Sequence, residues 1–301
     1  MPKPTFLLIG GQKCGTTSLV AYLHQHPRVF FSARKEPQFF ALEGQSRVFH
    51  GPGDGNMNGP RAIRTIEDYL ALFGAVRAET AIGEGSTMYL SSTQAPERIA
   101  HHLPDAKLIA ILRDPVERAY SSFLHLARDE REPLRDFVAA FDAEDARMAD
   151  GWSASWAYRS RGFYARHLRR YLDIFPRERL KIFLYDDFRD HPLEVVREIF
   201  RFIGVHDTFV PDMSFRLQRT GLPRSRRLHR ILKQAYRVER RIQMLVPSGR
   251  VPVTLEGLRS WNLVRPPLPA EIRRQLIKVY WDDLIELQAL LGRDLSHWMR
   301  A

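Results

Sequence analysis

The segment Gly10-Gly11-Gln12-Lys13-Cys14-Gly15-Thr16-Thr17-Ser18 gathers three glycines, a lysine and three hydroxyl side chains into nine consecutive positions. Glycine permits the backbone conformations that turn successive N–H groups inward around an anion. A helix starting at Thr16 would add its unpaired first-turn N–H groups and the positive end of its dipole. Lys13 supplies a mobile cation. The pattern therefore suits a phosphate or a related anion, and a ligand-free strand-to-helix turn would need neither the lysine nor three hydroxyls. The loop departs from the P-loop of nucleotide hydrolases. Gly10 and Gly15 have that motif's separation, but Thr16 stands where it requires lysine, and the lysine lies two residues before Gly15.

A second candidate anchor follows the apolar run Lys107–Leu112, which ends on Arg113. A magnesium-dependent nucleotide site needs an aspartate at such a strand end. Arg113 suits an anion better, although neighbouring Asp114 keeps the metal reading open. Ser121 lies eight residues on, about two turns along the next helix. Glu84, just past an expected strand Ala81–Gly83, sits at the edge where parallel sheets build sites, and it is the candidate general base. A solvated glutamate ending a strand is the plainer alternative.

The elements that must position these groups alternate. Strands are expected at Thr5–Ile9, Val29–Phe31, Ala81–Gly83, Lys107–Leu112 and Leu180–Leu184. Helices are expected at Thr16–His26, Ala95–His102, Val116–Leu126, Arg161–Phe175 and Pro192–Ile203. Residues Gly44–Pro60, rich in Gly, Pro and Asn, are read as a long surface loop. The alternation predicts an α/β fold, a P-loop-type parallel sheet flanked by helices on both faces, with a helical, Arg-rich C-terminal extension. A single domain over 1–301 is expected, with a core of about 1–210 and the extension over about 211–301.

Of the 301 residues, 46 are Lys or Arg and 35 Asp or Glu, a net charge of +11 that favours anionic partners without choosing among them. The one cysteine, Cys14, excludes an intrachain disulfide and a thiolate zinc site. His24, His26, His101 and His102 are too scattered for a metal site and are read as surface residues, so no metal is expected. The apolar stretch Thr5–Ile9 is too short for a signal sequence or a membrane span, so a cytoplasmic, unanchored protein is expected.

Lys13-Cys14-Gly15-Thr16-Thr17-Ser18 strongly resembles the 5′-phosphosulfate loop of sulfotransferases that use PAPS, 3′-phosphoadenosine 5′-phosphosulfate. The resemblance implies that Lys13, Cys14, Gly15, Thr16, Thr17 and Ser18 hold the donor, and that Lys13 neutralises charge on the bridging oxygen as the sulfuryl group leaves. Arg113 through Ser122 is similar to the family's 3′-phosphate motif, which implies donor contacts from Arg113 and Ser121; Arg118 is left between donor contact and structural role. Gly83-Glu84-Gly85-Ser86-Thr87-Met88-Tyr89-Leu90 is similar to a segment of the glycan-type branch, typified by heparan sulfate sulfotransferases, in which the glutamate is the general base. Gly85 and Thr87 replace that branch's frequent Lys and Pro.

Lys35-Glu36-Pro37-Gln38-Phe39-Phe40 matches a further family segment and implies a sulfate or acceptor contact from Lys35, with Phe39 and Phe40 in the core, as Tyr164 is expected to be. Arg219 to Ser225 resembles a loop that closes over the nucleotide, with Arg219 and Arg224 as candidates. The family implies PAPS as co-substrate, PAP as product and a small-molecule or glycan acceptor, an acidic one included, receiving the group on a hydroxyl or amine. A P-loop kinase and a basic nucleic-acid-binding protein that uses the ten Lys/Arg between Arg216 and Arg241 stand as alternatives.

Overall fold

The computed structural model describes residues 1–45, 48–55, 63–214, 220–232, 234–235, 258 and 261–300. Five parallel strands, β1 (Phe6–Gly10), β2 (Val29–Phe31), β3 (Ala81–Gly85), β4 (Lys107–Leu112) and β5 (Leu180–Leu184), form a sheet in the order β2-β3-β1-β4-β5. The apolar strands alternate cleanly between two cores. Leu7, Ile9, Leu108, Ala110 and Leu112 enter the larger core, and Phe6, Leu8, Ile109 and Ile111 the smaller. A parallel sheet buried on both faces needs such continuous apolar runs. The chain runs from β1 to β2 and β3 on one side and then crosses to β4 and β5 on the other, so the topology opens a crevice at the carboxyl end of β1.

The smaller core is covered by α1 (Thr16–Leu23) and later helices that include Phe188, Val196 and Phe200. The larger core takes α2 (Phe39–Leu42), α3 (Ile66–Ala71), α4 (Ala95–His102) and α5 (Pro115–Arg128). Asp114 caps α5, accepting from the N–H groups of Val116 and Glu117 at 2.9 and 3.0 Å, with Pro115 in the first turn. Two short helices follow, α6 (Phe137–Asp142) and α7 (Glu144–Ala149), before α8 (Tyr164–Leu172). After β5 come α9 (Tyr185–Asp190) and α10 (Pro192–Ile203), which ends on left-handed Gly204.

The C-terminal part supplies a two-stranded antiparallel ribbon of β6 (Leu222–Pro223) and β7 (Leu263–Val264), then α11 (Ala270–Leu291). Leu276, Ile277, Tyr280, Leu284 and Leu287 of α11 recur at helical spacing and join the larger core.

Several boundaries depart from the sequence reading. The helix expected over Arg161–Phe175 begins only at Tyr164, after a tight 3-10 turn at Ser160–Gly162. Its start is set from far away: Asp283 of α11 accepts from the N–H groups of Ala165 and Arg166, both at 3.1 Å. A side chain at Gly162 would strike the Tyr280 ring. α1 stops at Leu23, and His26 is buried between Phe200 and Phe209. Its Nδ1 accepts from the Arg28 N–H, leaving Nε2–H to donate to the His206 carbonyl. His102 is half-buried against Glu43 at 2.7 Å. Neither is the surface residue expected. Part of the presumed surface loop is also pinned, since buried Asp54 accepts from the Ser153 N–H and hydroxyl and pairs with Arg131.

The largest correction concerns Glu84. It lies inside β3, in register with Leu7, and therefore faces the larger core, where it is fully buried. Tyr69 donates to its carboxyl at 3.2 Å and Ser86 at 3.0 Å, while the Ser86 hydroxyl accepts from the Gln38 N–H at 2.9 Å. Burial raises its pKa to about 8 against the opposing pull of the Tyr89, Ser86 and Tyr69 hydroxyls. The native state therefore holds this proton more tightly than the unfolded chain. The stability so contributed is full below the ordinary value near 4.5 and is lost as pH rises through about 8. Relative to Glu84→Gln, the wild type should lose stability across that interval by up to about 1.4 kcal/mol per pH unit, measured by chemical denaturation. A pH-independent difference would show that Glu84 is ionised in the fold.

Candidate active site

The Gly10–Ser18 loop closes the carboxyl end of β1. The Gly11 N–H donates to the Ile111 carbonyl at 2.8 Å, tying the loop to β4. Lys13 and Gly15 adopt left-handed conformations, with φ of 65° and 85°. At Gly15 a side chain would also press on Phe188 and Tyr185. Cys14 turns its buried sulfur into the smaller core, so it can contribute only backbone to a ligand. Lys13 stands in the opening. Burial, then the charges of Arg128, Arg113 and Lys35, push its pKa down to about 7.

The loop forms one wall of a cleft of about 770 Å³. Lys13, Lys35, Arg113, Arg161, Arg189 and Arg265 line it, together with Gly15, Thr16, Thr17 and Ser18. Glu36 is the sole carboxylate in the described lining. Such a cleft attracts polyanions. Arg113, at the end of β4, donates to the Lys13 carbonyl at 3.3 Å, pairs with Glu117 at 3.1 Å and lies over the Tyr185 ring at 4.8 Å. Lys35 donates to the Thr17 hydroxyl at 2.9 Å.

Ser121 is fully buried, 2.9 Å from the Thr220 hydroxyl, and Thr220 rather than Ser121 lines the cleft. Arg118 lies beneath the floor, donating to the Tyr158 carbonyl, which makes it structural. Arg224 points outward over Trp261 and is not in the cleft wall; Arg219 lies outside the described residues. Phe39, Phe40 and Tyr164 are core residues.

Glu36 is the group that sequence reasoning missed. Its carboxylate accepts from the Thr87 N–H at 2.9 Å and from the Thr87 hydroxyl at 3.1 Å, and its own φ is 52°. A proline at position 87 could not donate that N–H, so the departure noted there gives this chain a hold on Glu36. Arg161 fixes the same turn by donating to the Thr87 carbonyl at 2.6 Å. His125, also in the cleft wall, was overlooked although it follows Ser121 by one helical turn. Burial, then the charges of Lys13 and Arg128, lower its pKa to about 3, so its ring is neutral. Asp114 faces away, used by the α5 cap and by Arg273.

Among the described residues no helix is long and apolar enough to cross a membrane. The model of the sulfotransferase family matches residues 4–208. The chain is 28% identical over 309 residues to mouse bifunctional heparan sulfate N-deacetylase/N-sulfotransferase 3, covering 99% of this chain and 31% of that protein. It is 30% identical over 208 residues to the bovine N-deacetylase/N-sulfotransferase 2, covering 67% and 22%. The chain thus spans about a third or less of the length of these curated relatives. The crystal structure of a sulfotransferase from Alicyclobacillus acidocaldarius superposes with a TM-score of 0.77 at 34% identity, covering 100% of both chains. With a matching family model over most of its length and a parallel sheet that carries the anion loop at the end of its central strand, the chain belongs to the sulfotransferase family.

Proposed function

We propose that this enzyme moves the sulfuryl group of PAPS to a hydroxyl or amine of a carbohydrate-containing acceptor, with Lys13 at the leaving phosphate and Glu36 as general base. The observation that carries this reading is Glu36, the one carboxylate among the described lining residues, set in a cleft of cations with Lys13 and Lys35. The relatives named as heparan sulfate N-sulfotransferases support a glycan-type acceptor.

The residues present fit the donor. The α1 N-terminus, Lys13 and the hydroxyls of Thr16, Thr17 and Ser18 suit the phosphosulfate. Arg113, with Thr220 bonded to Ser121, suits the 3′-phosphate. Tyr185 and Phe188 offer flat apolar surface of the kind on which a purine stacks. In the transfer, the bond from sulfur to the bridging oxygen breaks as the acceptor oxygen or nitrogen bonds to sulfur. Glu36 takes the acceptor's proton, and Lys13 meets the charge left on the bridging oxygen. Glu84, sealed in the core, instead steadies the Ser86–Gln38 link beside Glu36.

PAP should raise the melting temperature by several degrees without Mg²⁺, since a ligand at a hundred times its Kd adds about 2.7 kcal/mol. An equal response to ADP with Mg²⁺ would favour a kinase. Glu36→Gln should reduce transfer about 10²- to 10⁴-fold while the PAP response persists, and Glu84→Gln should retain transfer. The reverse result would return the base to Glu84. Because Lys13 is held near 7 in the free protein, an arriving anion should protonate it. PAP affinity then falls as pH rises above about 7, and at about pH 8 calorimetry in buffers of different ionisation heat should register proton uptake that Lys13→Ala lacks.

A further inference from the structure

A second cavity of about 290 Å³ lies behind the cleft. The two share Thr16, Thr17, Lys35, Glu36 and Thr87, so Glu36 stands at their junction. The rest of the second wall is largely apolar, with Leu8 and Gly85 from the sheet, Phe31 and Ala33 at the end of β2, and Val20 and Ala21 from α1, and only His24 and Ser32 add polar side chains among its described residues. Water in such a space finds few polar partners, whereas an apolar group loses nothing by entering it. An engineered cavity of about 150 Å³ is known to take benzene, so this one can hold a ring or a short alkyl chain.

In-line transfer places the acceptor's nucleophile across the sulfur from the leaving phosphate, within reach of the base. With the phosphate on the α1 N-terminus and the base at the junction, the substituent next to that nucleophile meets the mouth of the second cavity. We propose that this cavity is an acceptor subsite for an apolar group, an alkyl chain or aromatic ring carried beside the hydroxyl or amine that is sulfated. The assignment rests on the reading of Glu36 and the cleft given above. It makes the acceptor amphipathic, and a wholly polyanionic glycan would leave the subsite unused.

A series of n-alkanols from ethanol to octanol, titrated by calorimetry with and without saturating PAP, tests this directly. Affinity should rise about fourfold per methylene until the cavity is full. Gly85 allows a matched variant, because a β-carbon there would make ordinary 3.5 Å contacts with Leu8 and Phe31 and its φ lies outside the left-handed region. Gly85→Val from the sheet, and separately Ala21→Leu from α1, should end the rise at shorter alcohols while the PAP-induced thermal shift is retained. In transfer assays with labelled donor, kcat/KM should follow the same chain-length dependence. Affinity independent of chain length, or a rise that neither variant curtails, would overturn the subsite. A chain-length rise that both variants curtail, with no response to PAP, would uphold the subsite while removing the donor assignment.

Discussion

Two carboxylates approach the end of β3 from opposite sides, and the Thr87 N–H decides which one reaches the cleft. Glu36 is drawn toward the opening because that N–H and the Thr87 hydroxyl both donate to it, while Arg161 holds the Thr87 carbonyl from below. Glu84, three residues earlier in a pleated strand, must point to the other face, where the Tyr69 and Ser86 hydroxyls meet it. A buried carboxyl without a cation keeps its proton, and a carboxylate among lysines and arginines can accept one. The proposed division of labour thus follows from one strand's alternation and one turn.

The cationic lining has its own cost. Burial first, then repulsion from the crowded charges of Arg128, Arg113 and Lys35, drops Lys13 toward 7. The arginines are held instead by backbone carbonyls and sparse acids: Arg113 by the Lys13 carbonyl and Glu117, Arg265 by the same Glu117, and Arg161 by the carbonyls of Thr87 and Ala154. Fixed donors with little compensation are what an incoming polyanion meets most favourably, because little reorganises when it binds. The site gives up stability in the free protein to gain that complementarity.

Much of the scaffold was legible in the sequence. The apolar runs at β1, β4 and β5 admit no other burial than a sheet covered twice, and the turn at Gly10–Ser18 falls between β1 and α1 as expected. What escaped was set by contacts distant along the chain. Nothing local shows that Asp283 caps α8, that Asp54 anchors a Gly-rich loop, or that His26 is clamped by Phe200 and Phe209. Glu36 lay in a motif already singled out, but Lys35 drew the functional reading and Glu84 the role of base. Which of two glutamates faces a cleft depends on the strand register Leu7–Glu84, which spacing alone does not reveal.

The C-terminal part alters what the site is. The family model ends at residue 208, yet Met213, Thr220 and Arg265 line the cleft beyond it. The β6–β7 ribbon carries Thr220 to Ser121 and Arg265 to Glu117, so the serine of the second anchor has a partner from this late segment and its arginine shares Glu117 with one. Meanwhile α11 holds the older parts in place, with Arg273 on the Asp114 cap and Asp283 on the start of α8. The sheet and its loop therefore supply one wall of the cleft, and Met213, Thr220 and Arg265 add to its rim. A sulfuryl site of this kind can keep its central chemistry while the surrounding segments settle which donor contacts, and which acceptor, it accommodates.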